Sequence, residues 1–220
     1  MNLSRRLQKI INLVPENTQV LWDICCDHGL IGSQFLNSKV NVIFIDRVES
    51  ITSKLKLKLA ANSTDLSSCK VMTANAIEYD YAKLSTNKRN TYIVAGVGTD
   101  VGLNIILQIL KSFTLNDTLV VSLHKNNVKL RQRLIKETDL RLKDEVLVEE
   151  QGKYYEIMVL DLVAVEKITE IGSLLWERPG KVQENYLYKQ LNYYKNKLPF
   201  EAKAQAIYDQ YAQKLGSLDF

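Results

Sequence analysis

Three short segments of this chain hold residues able to do chemistry, and each lies at the end of an apolar run. The first is Asp23-Ile24-Cys25-Cys26-Asp27-His28-Gly29, which closes the run beginning at Gln19. The second is Asp46, directly after VNVIFI. The third is Ala95-Gly96-Val97-Gly98-Thr99-Asp100, after the run that begins at Thr91. A carboxylate is a pure acceptor, so one at such a place can take hydrogen bonds from both vicinal hydroxyls of a ribose. Glycines let a ligand approach the backbone closely.

The elements that position these residues follow from hydrophobic periodicity. Residues 4–13 have helical spacing and end at Pro15. Strands are expected over 19–24, 40–45, 70–73, 91–95 and 119–123, with helices over 30–37, 48–61, 101–113 and 128–138. The KLKLKL alternation inside 48–61 mimics a strand, but a crossover between parallel strands is required there and 53–61 lacks β-branched residues. Two further strands, 140–148 and 154–162, flank Gln151-Gly152-Lys153 and read as a hairpin. The fold class is therefore α/β, a mostly parallel sheet with an antiparallel edge. After Val165 the texture becomes helical and Tyr-rich, with breaks at Pro179 and Pro199. We expect a domain over 1–165 and a small helical one over 166–220. Trp22 and Trp176 are assigned to the core. The C-terminal tyrosines fit a half-buried helical hairpin or a base-stacking surface equally well.

In an open α/β sheet, ligands bind beyond the carboxyl ends of the strands, where the three segments fall. A dinucleotide loop would carry G-x-G-x-x-G after the first strand. This loop has a single glycine, Gly29, and Asp27 would repel a pyrophosphate. A ligand with a ribose, an amino group and no phosphate suits acids at both strand ends. S-adenosylmethionine is such a molecule.

Composition narrows the class. The 220 residues contain 46% apolar and 25% charged side chains, an ordinary globular balance. No apolar run reaches the roughly 18 residues of a membrane helix. The N-terminus interleaves charges with apolar residues, unlike a secretion signal. Three cysteines, two of them adjacent, argue for a reducing cytoplasm. Cys25, Cys26, His28 and Cys69 lack the C-x-x-C spacing of a zinc site, so no metal is expected. His28 alone gives a cysteine nucleophile no oriented base. The net charge of +4 is small, but basic residues cluster at Arg5, Arg6 and Lys9, at Lys54, Lys56 and Lys58, and from Lys125 to Lys136. Such clusters fit phosphates as well as they fit plain solubility.

The segments DICCDHG, IDRVES, IVAGVG and EEQGKYYEIMVL together resemble the bacterial tRNA adenine-22 N1 methyltransferases. The opening LSRRLQKIINLVP and the later IGSLLWERP with its Tyr-rich helix are also similar, so the likeness covers nearly the whole chain. The resemblance implies a Rossmann-like class I methyltransferase sheet with a C-terminal coiled-coil-like helical domain. It implies S-adenosylmethionine as cofactor and tRNA as partner. Where the family usually has glycine, this chain has Cys25 and Thr99; where it has methionine, Val97. A Gly-Asp-Gly element is replaced by Ala74-Asn75-Ala76, and a Gln-Pro pair by His124-Lys125.

On this reading Asp23, Cys25, Asp27, His28 and Gly29 surround the methionine moiety, and Asp46 and Arg47 lie at the ribose. Asn75 and Ala76 border the adenine, with Ala95 and Gly96 completing the cofactor site. Asp27 and Asp100 are the candidate catalytic carboxylates, because the methylated base is cationic. Val97, Gly98 and Thr99 line the substrate pocket. Arg5, Arg6, Lys9, Lys125, Arg131 and Arg133 hold tRNA phosphates. The expected assembly is a cytoplasmic monomer or weak dimer. The departures leave two other readings open: a methyltransferase for another substrate, or an RNA-binding protein that keeps the fold without catalysis.

Overall fold

A computed structural model describes residues 3–61, 66–84 and 88–218. Seven strands form one sheet: β1 Val20–Ile24, β2 Asn41–Asp46, β3 Cys69–Thr73, β4 Asn90–Gly98, β5 Thr118–His124, β6 Arg141–Glu150 and β7 Lys153–Asp161. Their order is β3-β2-β1-β4-β5-β7-β6. The first five are parallel, and β7 runs antiparallel to both β5 and β6. Strand order reverses between β1 and β4, so the carboxyl ends of β1, β2 and β4 open onto one crevice.

Every residue of β1 is buried, because both faces of the central sheet are covered. One face holds Trp22, Ile24, Tyr81, Tyr92 and Val94 with Leu103 and Ile106 of helix α3 (Thr99–Leu110). The other holds Leu21, Phe44 and Ile93 with Ile10 of α1 (Arg5–Asn12) and Leu55 and Leu59 of α2 (Glu49–Ala61). Trp22 donates its indole N–H to Asn90 Oδ1 at 3.2 Å and stacks on Tyr92. The KLKLKL segment is helical, with Leu55 and Leu59 inward and Leu57 72% exposed.

Two elements differ from the sequence expectation. Residues 30–37 form only a short 3-10 turn, Gly32–Phe35. Gly, Ser and Asn are poor helix formers, and Gly32 sits where a Cβ would lie 2.4 Å from the Phe44 ring. β4 runs on to Gly98, with a register shift between Ala95 and Gly98 before pairing with β5 resumes at His124. The hairpin between β6 and β7 turns on Gln151 and Gly152, both at positive φ, the geometry of a two-residue primed turn.

Beyond β7 the chain forms α5 (Lys181–Lys197) and α6 (Ala204–Gly216), packed as a helical hairpin. Its apolar side joins Val128 of α4 (Asn127–Glu137), Leu147 and Tyr154 to Ile171, Leu175, Trp176, Leu187, Ile207 and Tyr211. A buried polar network lies beside this cluster. Arg131 of α4 pairs with Glu145 of β6 and with Glu156 of β7, the latter at 2.6 Å. Tyr186 of α5 donates to the other Glu156 oxygen at 2.5 Å, and the backbone N–H groups of Ser173 and Leu175 donate to Glu145. Arg131 is 0% exposed, which corrects its assignment as a tRNA phosphate ligand. Burial of a cation requires paired carboxylates, and both are consumed here. Among the described residues no helix is long and apolar enough to cross a membrane.

Candidate functional site

The turn after β1 is built from left-handed backbone. Cys25, Asp27 and Gly29 have φ of 57°, 46° and 65°. Only glycine adopts this region without steric cost, so Cys25 and Asp27 are strained, each by roughly 1–2 kcal/mol. A side chain at Gly29 would add to positive-φ strain a close approach to Leu55, with a Cβ 2.7 Å from its Cδ1. The Cys25 thiol is pushed up to about 11, first by burial and then by the Asp46 charge. A neutral thiol suits a packing role and not a nucleophile.

Asp23 lies under this turn and not in the crevice. It is 3% exposed, and its Oδ2 accepts the Gly32 N–H at 2.9 Å. Burial raises its carboxyl to about 7, helped by the nearby Asp46 charge and opposed by the Gly32 hydrogen bond. The expectation that Asp23 faces a ligand is therefore corrected: it braces the loop. Asp46 ends β2. Its Oδ2 accepts the Asp27 N–H at 3.2 Å and its Oδ1 the Val48 N–H at 3.0 Å. Each oxygen retains one lone pair, the two acceptors that vicinal hydroxyls need. Arg47 is exposed beside it. His28 and Asp27 form an exposed pair at 3.7 Å, and Lys58 holds the His28 carbonyl.

After β3, Asn75 is exposed and Ala76 buried. Asn75 Oδ1 accepts the Ile77 N–H at 3.2 Å, which shapes the turn and leaves the amide N–H groups as donors. Ala95 is half-buried, Gly96 has φ of 77°, and Val97 packs on the core. A Cβ at Gly98 would meet nothing within 4 Å, so the backbone there is open to a ligand.

Thr99 is corrected. It is 6% exposed, and its hydroxyl donates to the Lys125 carbonyl at 2.6 Å, tying α3 to the turn before α4. Asp100 is exposed but held by Lys129 at 2.6 Å. Of the basic residues, Arg5 and Lys125 are exposed and Lys9 is half-buried. Arg133 is partly exposed and paired with Glu137, one oxygen at 2.9 Å from Nη2. Arg6 is corrected as a tRNA phosphate ligand: it is buried and places its guanidinium 4.9 Å over the Tyr155 ring. It makes no salt bridge among the described residues, and burial lowers its basicity. A Cβ at Gly96 would lie 3.6 Å from its Nη2.

Sequence reasoning missed Tyr155 and the meeting of Arg6, Gly96, Tyr155 and His124. The signal was the E-x-x-G-K-x-Y-E-I element, whose parts the structure separates. Glu149 accepts the Gly152 N–H at 2.7 Å, Tyr155 carries Arg6, and Glu156 binds Arg131. Among the described residues no three His, Cys, Asp or Glu side chains gather to hold a metal.

Comparison with known proteins gives a family and a fold. A family model described as a methyltransferase domain matches residues 3–158. No curated protein matches in sequence. A Streptococcus agalactiae protein of the NADB-Rossmann superfamily has a TM-score of 0.76 at 21% identity, over 99% of this chain and 97% of that one. The M1A22 tRNA methyltransferase TrmK of B. subtilis has a TM-score of 0.67 at 22% identity, over 98% and 96%. M. capricolum TrmK in complex with S-adenosyl-homocysteine has a TM-score of 0.71 at 17% identity, over 97% and 95%.

Proposed function

The chain belongs to the methyltransferase-domain family, and from that premise we propose that it methylates N1 of adenine 22 in tRNA with S-adenosylmethionine. The observation that carries this reading is Asp46, a carboxylate at the carboxyl end of β2, beside the switch point, whose two oxygens each accept one backbone N–H and keep acceptor capacity. The end-to-end likeness to two tRNA methyltransferases, C-terminal helices included, supports the substrate.

The residues present fit the cofactor. Asp46 would hold its ribose hydroxyls, the turn from Cys25 to Gly29 its methionine end, and Asn75 with Ala76 its adenine. The cofactor supplies an electrophilic methyl: the N1 lone pair forms the N–C bond as the C–S bond breaks, and that electron pair stays on sulfur. Adenine N1 is neutral near pH 7, so no base must remove a proton first. The chain's task is then to position two partners, which lowers a barrier by up to roughly 7–11 kcal/mol. N1 lies on the Watson–Crick edge, so the base must leave its stack to reach Gly96 to Gly98. Asp27, exposed at the rim, would favour the cationic product; Asp100 would do so only after release from Lys129. Arg5, Lys9, Lys125 and Arg133 are proposed to meet tRNA phosphates in the cytoplasm. We assign 1–165 as the catalytic domain and 166–220 as the helical one.

Calorimetric titration with S-adenosylmethionine, followed by methyl transfer to tRNA, tests the reading. Micromolar binding that weakens about ten- to hundredfold in Asp46→Ala is the expected result, the loss of hydrogen bonds to a charged acceptor. Absence of binding by the folded protein, with and without tRNA, leaves RNA binding without catalysis.

A further inference from the structure

His124 stands at the carboxyl end of β5, in register with Gly98 of β4. Its side chain is exposed beside the Ala95–Gly98 backbone. The Tyr155 ring of β7 meets it edge-on, with centroids 6.2 Å apart. The Gly96 backbone acts on the imidazole against the lowering of its basicity. Arg6 reaches the same place from α1, over Tyr155 and beside Gly96.

The charged neighbours set the state of this ring. Arg6 from α1, Lys153 from β7 and the adjacent Lys125 all act on it, and Glu150 of β6 acts on Arg6 from behind. Partial burial and these three cations push the imidazole below its usual value. A neutral imidazole carries an acceptor lone pair on one of its two nitrogens. The edge contact with Tyr155 holds the ring beside the end of β4.

An adenine offering N1 for methylation also presents its exocyclic amino group, a donor, on the same edge. Guanine presents an acceptor there, which an unprotonated nitrogen would repel. As N1 takes the methyl, positive charge spreads onto the exocyclic amino group. An acceptor at that group therefore binds the transition state more strongly than the ground state.

We propose that His124 accepts a hydrogen bond from the exocyclic amino group of the target adenine and so selects adenine at the methyl-transfer pocket. This rests on the adenine-N1 reading above. Tyr155 positions the ring.

The test uses full-length protein and two ligated tRNAs, one with adenine at the target position and one with purine, which keeps N1 but lacks the amino group. Wild-type enzyme should prefer adenine in kcat/KM by about tenfold, the effect of one hydrogen bond. His124→Ala should bring the ratio close to one by slowing adenine alone. His124→Gln supplies an amide oxygen and should restore the preference. Wild-type activity on adenine should fall as pH drops through the lowered imidazole value, while His124→Gln should lose that fall. Equal loss on both tRNAs in His124→Ala, or an unchanged ratio, overturns the assignment and leaves the adenine reading standing. If wild type binds S-adenosylmethionine and methylates neither tRNA, the adenine reading fails and this assignment with it.

Discussion

The crevice at the ends of β1, β2 and β4 and the junction between α4 and the C-terminal helices both gather charge, and they handle it in opposite ways. At the junction, Arg131 is fully enclosed and every partner is present: two carboxylates, a tyrosine hydroxyl and two backbone donors. At the crevice, Arg6 is buried without a salt bridge among the described residues, Asp46 keeps spare lone pairs, and Cys25 and Asp27 hold left-handed backbone. A saturated network spends its bonding capacity on the fold. An unsaturated, strained one keeps capacity for a ligand.

The comparison breaks most readily at Arg131. Arg131→Ala leaves two buried carboxylates without a cation and should cost about 3–5 kcal/mol in urea denaturation. Arg133→Ala, four-tenths exposed two residues along the same helix, should change stability by no more than about 0.5 kcal/mol. Equal effects would mean that the enclosed network contributes no more than a surface ion pair.

Asp23 sharpens it from the crevice side. Its folded value of about 7 lies above the ordinary 3.8, so the folded state holds a proton that the unfolded state releases. The resulting stability is complete below about pH 4 and is lost as pH rises through 7. Asp23→Asn removes the titration while keeping an oxygen for Gly32. Denaturation midpoints measured from pH 4 to 8 should fall with pH in wild type and flatten in the variant.

The smallest effect is at Cys25. Cys25→Gly relieves a positive φ and should raise stability by about 1 kcal/mol or less. A thermal melt that shows destabilisation instead would mean that packing of the thiol outweighs the backbone strain.

Much of the fold was legible because buried parallel strands are continuous apolar runs and crossover helices have their own period. The places of Asp46, Gly96 and Gly98 at strand ends were legible because each closes an apolar run. The 30–37 segment forms only a short turn because Gly, Ser and Asn support a helix poorly, and the Gly32–Phe44 approach that calls for glycine there joins residues twelve apart. Arg131 was misread because a basic cluster in sequence says nothing about which face of α4 each member occupies. On that helix Arg131 points at Glu145 and Glu156, whereas Arg133 points at solvent.

The sequence by itself determined the order of elements, the acids at strand ends and the turn residues, since these depend on local periodicity and backbone chemistry. Only the tertiary structure decided which charges meet. Asp23 went beneath the loop, Thr99 to the Lys125 carbonyl, Arg131 into the junction, and Arg6 beside Gly96, Tyr155 and His124. The physical reason is that a charge's role depends on its burial and its partners. Those partners come from strands and helices far apart in the chain.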